Sequence, residues 1–381
     1  MSGSGWFAWL EARFELARGG EAIANLRSME GLRGVAVLLV FMVHYATLSL
    51  PWQVGGSAAW LATAHAIGHC GVDLFFVLSG FLIYGSLIER VQPFGAYLLR
   101  RVARIYPAFL AVLGVYLVLS LAMPSVSKLP AGLAASAWYV LQNLLLLPGM
   151  LPIAPIIEVA WSLSYEMFYY IVMPLVIAVA GLRGRSRGWR LGFFALLLAL
   201  GLAAAATWGG PERLSLFLAG VLLYELLHLR LQWQPSSAWA VAAMALAVGV
   251  MVLPMPGPAL QAARAAGLCL AFGLLCLVCF GRPQGPAAQA LCVWPLRWLG
   301  NMSYSYYLVH GLALHGFFLV VRQVWPPAEA GDQAAVLMLL PALLCTLIVA
   351  AGLFLGVERP LSLNAGQARV RRPAAQPMLG R

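Results

Sequence analysis

The chain has 381 residues, 62% of them apolar and only 10% charged, with a formal net charge of +11. An ordinary soluble domain carries about 25% charged residues, so this chain cannot coat a core of its size with polar side chains, and lipid must cover much of the surface. The positive charge does not call for nucleic acid, because the arginines lie between apolar blocks, where they resist translocation and fix the side on which each loop sits.

In chain order, the first 27 residues mix Glu11, Arg13, Glu15, Arg18 and Glu21 with apolar residues. That pattern suits a cytoplasmic or interfacial amphipathic segment and not a cleaved signal peptide. Ten apolar blocks follow, at 34–52, 70–89, 104–123, 159–181, 190–208, 213–229, 237–254, 262–280, 300–322 and 334–357. Each is close to the roughly 20 residues that span a bilayer. A shorter apolar piece at 136–148 reads as re-entrant or as a helix on the surface. The expected fold is an all-α integral membrane bundle of about ten transmembrane helices, with both termini cytoplasmic. In that arrangement 20 of the 24 basic residues face the cytoplasm, and only Lys128, Arg213, Arg264 and Arg322 lie outside. An eleventh crossing would move Arg183 to Arg190 and the basic C-terminus outside, against the positive-inside rule. The organisation is therefore one membrane domain, 28–360, after the 1–27 segment and before a basic tail, 361–381, expected to be disordered. The six cysteines lie mostly in or beside apolar blocks and read as packing residues.

Ionisable groups inside a span are costly and face the bundle interior or a water-filled cavity. In the first block Arg33 and His44 are eleven residues apart, which places them on one helix face roughly 16 Å apart along the axis. A cation at the cytoplasmic edge and a proton-transfer group near mid-membrane suit a long substrate entering end-on. Asp73 lies near the outer end of the second block, and Gly80, on the same face, lets a neighbour approach closely. His65 and His69 have metal-ligand spacing but no carboxylate in register, so no metal is expected. Arg100, Arg101 and Arg104 precede or open the third block, either as plain topology signals or as a phosphate clamp. The fourth block opens on a polar stripe, Ser162, Tyr165, Glu166 and Tyr169, beside Trp161, with Glu166 roughly 10 Å below the outer surface. Glu225 is the one acid of the sixth block. In the ninth, Ser303, Tyr307 and His310 share a face. Gly352 and Gly356 form a G-x-x-x-G packing signal in the last.

These segments together resemble the acyltransferase 3 family of membrane-bound O-acyltransferases. The resemblance runs from about Ser28 to Pro360. It rests on Arg33 and His44, on GVDLFFVLSGFL (Gly71 to Leu82), RRVARIYP (Arg100 to Pro107), WSLSYE (Trp161 to Glu166) and SYSYYLVH (Ser303 to His310), and on the closing Glu358-Arg359-Pro360. It implies transfer of an acyl group, usually acetyl, from cytoplasmic acyl-CoA to a hydroxyl of an extracytoplasmic glycan or lipid-linked sugar. Acyl-CoA would be a co-substrate, with no resident cofactor, and the setting a bacterial inner membrane. It also implies that His44 is catalytic and that Arg33 helps to hold the donor. The chemistry of the residues agrees, because an alcohol is a poor nucleophile without a base and histidine titrates near neutrality. The candidate catalytic residues are thus His44, Glu166 and Asp73. The candidate substrate-binding residues are Arg33, Arg100, Arg101, Arg104, Trp161, Ser162, Tyr165, Tyr307 and His310. A transporter, or an envelope-assembly subunit without acyl-transfer chemistry, is the rival expectation, since either also explains buried ionisable groups.

Overall fold

The computed structural model describes residues 4–16, 23–229, 235–331 and 333–364, and among them the fold is all-α, with no strand. An exposed helix, α1 (Ser4–Phe14), precedes α2 (Ile23–Leu48), α3 (Gly56–Gly68), α4 (Cys70–Ile88), α5 (Phe94–Ala122), α6 (Leu133–Leu144), α7 (Trp161–Val179), α8 (Arg187–Trp208) and α9 (Leu214–Leu227). The remainder holds α10 (Ser237–Val252), α11 (Pro258–Gly281), α12 (Pro286–Ala290), α13 (Trp294–Asn301), α14 (Ser303–Val324), α15 (Ala334–Leu337) and α16 (Leu339–Leu353), which runs on into a π-helical segment, Phe354–Asn364. The basic tail beyond residue 364 lies outside the described residues.

Every predicted block contains a helix. Eight helices among the described residues are long and apolar enough to cross a membrane, while α9, with 14 residues, and α10, with 16, are apolar but shorter. A 14-residue helix rises about 21 Å, against a hydrocarbon core of about 30 Å. The 136–148 piece forms α6, whose 12 residues are too few to span. The second block starts earlier than its hydropathy suggests, as α3 and α4 form one apolar helical run, Gly56–Ile88, interrupted at His69. Helix directions agree with alternating crossings. Arg33 meets Ser303 and His44 meets His310, so α2 and α14 run the same way. Asp73 meets Arg213 and Tyr84 meets Glu225, so α4 and α9 also run the same way. Each pair is an even number of blocks apart, as alternation requires.

Two glycine contacts set the spacing of the core. A Cβ on Gly80 would lie 2.1 Å from the Phe217 carbonyl oxygen, and one on Gly220 would lie 2.0 Å from that of Val77. At this crossing of α4 and α9 the backbones touch. A similar contact joins α13 to α2, where a Cβ on Gly300 would sit 1.8 Å from the Glu30 carbonyl oxygen. The G-x-x-x-G of the last block makes no such contact among the described residues, because a Cβ on Gly352 or Gly356 would meet nothing within 4 Å there. Glu225 is structural. It is fully buried and pairs with Arg190 at 2.6 Å while Tyr84 donates to it, which ties α8, α4 and α9 together. Replacing Gly220 with valine should force α4 and α9 apart and destabilise the protein by about 1–3 kcal/mol or more. The check is the unfolding midpoint in detergent, and an unchanged midpoint would contradict the contact.

Candidate active site

Five helices line a cavity of about 180 Å³. Arg33 enters it from α2, Arg101 and Arg104 from α5, Ser162, Glu166 and Tyr170 from α7, and Ser303, Tyr304 and Tyr307 from α14; apolar residues of α4, Phe75 and Phe76 among them, close one side. Arg33 lies within α2, ten residues from its start, and its Nη2 donates to Ser303 Oγ at 2.8 Å. A guanidinium and a carboxylate thus share a small, largely apolar enclosure.

The arginines of α5 are held in place. Hydropathy starts this block at Arg104, but the helix begins at Phe94 behind Pro93, so Arg100, Arg101 and Arg104 are all helical and not in a loop. Arg104 Nη1 lies 2.5 Å from Glu358 Oε1 and its guanidinium sits over the Tyr304 ring. Glu358 is fully buried and also accepts from the backbone N–H of Ser305 at 3.0 Å and its hydroxyl at 2.5 Å. Those N–H groups belong to the first turn of α14, which lacks intrahelical acceptors and favours a negative charge. The π-helical register of Phe354–Asn364, a form frequent at functional sites, brings Glu358 to that point. Arg101 sits over the rings of Tyr97 and Tyr170 and donates to Ser86 Oγ at 3.0 Å. Tyr170 in turn donates to Glu166 Oε1 at 2.5 Å.

A second, larger hollow of about 1130 Å³ adjoins this one, because Arg101 and Arg104 line both. Arg90 and Arg100 also line it, with Glu89 as its one acid among the lining residues, and Arg100 donates to Gln92 at its rim. Four guanidinium groups therefore line the larger hollow, and two of them, Arg101 and Arg104, stand where it meets the cavity.

His44 does not line the cavity. It is half-buried, edge-on to His310 with ring centroids 4.8 Å apart, and its ionisable neighbours include Glu158, His65 and His315. His310 is fully buried, and its Nδ1 lies 3.1 Å and 2.9 Å from the carbonyl oxygens of Tyr306 and Tyr307. Carbonyls only accept, so Nδ1 carries the proton and Nε2 presents a bare lone pair. That Nε2 has no hydrogen-bond partner among the described residues. The His310 ring lies 6.0 Å from that of Tyr307, whose hydroxyl meets Ser162 Oγ at 2.8 Å on the cavity wall. The path from the cavity is therefore Tyr307, His310, His44.

The fourth-block stripe divides between two surroundings. Ser162 and Glu166 face the cavity, joined by Tyr170, which sequence periodicity did not single out. Tyr165 faces a separate outer recess, and Tyr169 donates to the Leu214 carbonyl at 2.6 Å while stacking on Phe217. Asp73 is likewise apart from the cavity, buried beside Arg213 Nε at 3.3 Å, and Trp161 carries the Arg213 guanidinium over its ring. No group of three or more metal-ligating side chains occurs among the described residues.

Residues 26–355 match the family description of an acyltransferase domain. The chain belongs to the acyltransferase 3 family. It is 28% identical over 394 residues to the acyltransferase MdmB of Streptomyces mycarofaciens, covering 93% of this chain and 95% of the relative. It is 30% identical over 331 residues to the exopolysaccharide production protein ExoZ of Rhizobium meliloti (strain 1021), covering 80% and 92%. A shorter match, 26% over 223 residues, covers 51% of this chain and 34% of a Staphylococcus aureus (strain COL) protein assigned as an O-acetyltransferase. No solved structure matches. The protein is an acyl-transferring membrane enzyme, and family membership rules against the transporter and assembly readings.

Proposed function

We propose that this acyltransferase moves an acyl group, in the first instance acetyl, from cytoplasmic acyl-CoA to a hydroxyl of an extracytoplasmic glycan or lipid-linked sugar, from a bacterial inner membrane. The observation that carries the reading is the junction of the two hollows. Four arginines line the larger one, two of them where it meets a smaller, mostly apolar cavity. Guanidinium groups pair with phosphate in two-pronged fashion, so the polyanionic part of CoA fits the larger hollow and the acyl-pantetheine arm the smaller. The sidedness of the basic residues, 20 to 4 in the ten-block reading, supports placing that hollow and both termini in the cytoplasm. The word O-acetyltransferase in one relative's name and exopolysaccharide in another's support the acetyl group and the sugar hydroxyl.

In this mechanism the acceptor oxygen bonds to the thioester carbonyl carbon as its proton passes to His44. The carbon–sulfur bond then breaks, and the thiolate leaves with a proton returned by His44. His310 takes a positioning role: its bare Nε2 can accept a hydrogen bond from the N–H of His44 and so keep the other His44 nitrogen free for the acceptor. Arg33 and Arg104 hold the donor, while Glu166 balances their charge through Tyr170. The attack is written as direct transfer.

Labelled acetyl-CoA given to the purified chain in nanodiscs tests the reading, through CoA release and label on added glycan. Failure to bind CoA at millimolar concentration would overturn it. Arg33→Ala should raise the Kd for CoA about 10- to 100-fold, since a charge-assisted hydrogen bond contributes about 1.5–3 kcal/mol. Turnover at saturating donor should change little. Calorimetric titration and single-turnover rates separate these effects, and a large rate loss with unchanged Kd would contradict a donor-holding role.

A further inference from the structure

At the other end of α4 lies a polar recess that the donor path does not use. It measures about 490 Å³ and is lined by Asp73, His65, His69, Arg213, Gln261 and Arg264, with Glu212 at its edge. Glu212 and Arg213 also line an adjoining recess of about 280 Å³ that reaches Tyr165. Ser86 of α4 lines the arginine-rich hollow. Thirteen residues along the helix separate it from Asp73, so the two openings stand roughly 20 Å apart. We propose that this recess is the acceptor subsite and that its ligand is an uncharged, polyhydroxylated sugar; the proposal rests on the acyl-CoA reading above.

Charge distinguishes the two openings. The hollow near Ser86 sets four arginines against one glutamate, as a polyanion requires. The recess sets Arg213 and Arg264 against Asp73 and Glu212. A balanced site offers a polyanion nothing, but it presents hydrogen-bond donors and acceptors together, which is what a ring of hydroxyls needs. Its size falls within the ~300–1,000 Å³ of small-molecule sites.

Asp73 supplies the second observation. Its side chain is 2% exposed, and Oδ1 forms an ion pair with Arg213 Nε at 3.3 Å but accepts no hydrogen bond from the described residues. A buried acceptor without a hydrogen bond is costly even beside a cation. Asp73 lines the recess, so a ligand hydroxyl there can donate to it. Arg213, held flat over Trp161 at 5.1 Å, fixes the geometry of that corner, and Ser162 next to Trp161 already belongs to the donor cavity wall. His65, on the recess wall, is an ionisable neighbour of His44. A sugar seated against Asp73 therefore lies on the side of the bundle where His65 faces the proposed base. His65, His69 and Asp73 stand at i, i+4 and i+8, so one stripe across the α3–α4 junction contributes to the site.

The test uses the full chain in nanodiscs with labelled acetyl-CoA and two probe sets, neutral methyl glycosides and methyl glycuronides. The expected result is transfer to neutral glycosides, with Asp73→Asn and Gln261→Ala each raising the acceptor KM tenfold or more while the Kd for CoA stays unchanged. Gln261→Ala, at the rim, guards against a folding defect in the buried variant. Transfer only to the charged glycuronides, or unchanged acceptor KM in both variants, would overturn the subsite. So would transfer to neither set while CoA still binds, which leaves the donor reading standing. Loss of CoA binding by the wild type would instead remove the reading on which the subsite rests.

Discussion

His44→Ala should lower turnover of labelled acetyl-CoA about 10²–10⁴-fold, the range that a positioned general base contributes, while insertion and CoA affinity should stay at wild-type levels. A sugar hydroxyl holds its proton until the carbon–oxygen bond is forming, so the base acts in the transition state and its removal falls on kcat. His44 also stands outside the donor cavity, against His310, so its loss leaves the arginine wall intact. If His310 works through His44, His310→Ala should lower kcat less, and the double variant should be no slower than His44→Ala, since groups acting as one unit are not additive. Near-normal turnover in His44→Ala would remove the base from the mechanism. Additive losses in the double variant would make His310 independent.

Glu358→Ala is expected to damage both stability and donor binding. This carboxylate, with none of its side chain exposed, joins Arg104 to the first turn of α14. Removing one partner of a fully buried pair costs about 3–5 kcal/mol; Arg104 keeps 26% of its side chain exposed, so a loss of about 2–3 kcal/mol is the expectation here. Without its partner Arg104 no longer has a fixed direction at the junction of the two hollows, and the Kd for CoA should rise about tenfold or more. Glu358→Gln should fall between, because an amide oxygen can still accept from Ser305 but carries no charge for Arg104. The unfolding midpoint and a CoA titration of both variants decide it. An unchanged midpoint together with unchanged CoA affinity in Glu358→Ala would show that Arg104 is positioned by something else.

Much of this was present in the order of residues. Long apolar blocks settle an all-α membrane fold, because a backbone in lipid must satisfy its own hydrogen bonds and a helix does so locally. The same locality made Arg33 and His44 legible as one face, and Gly80 as a point of close approach. Periodicity reports which side chains share a face, but not which neighbour that face meets. Ser162 and Tyr165 are three residues apart, yet one lines the donor cavity and the other an outer recess. Asp73 read as a costly buried acid near the end of the second block, and only the approach of α9 reveals that Arg213 is its partner. Glu358 and Arg104 are 254 residues apart, and nothing local to either sequence segment specifies the contact. Helical form and burial follow from short-range chemistry that a sequence displays directly. Pairing between distant helices follows from how glycine contacts, a π-helical turn and aromatic layers fit together, and that choice is made only when the whole bundle packs.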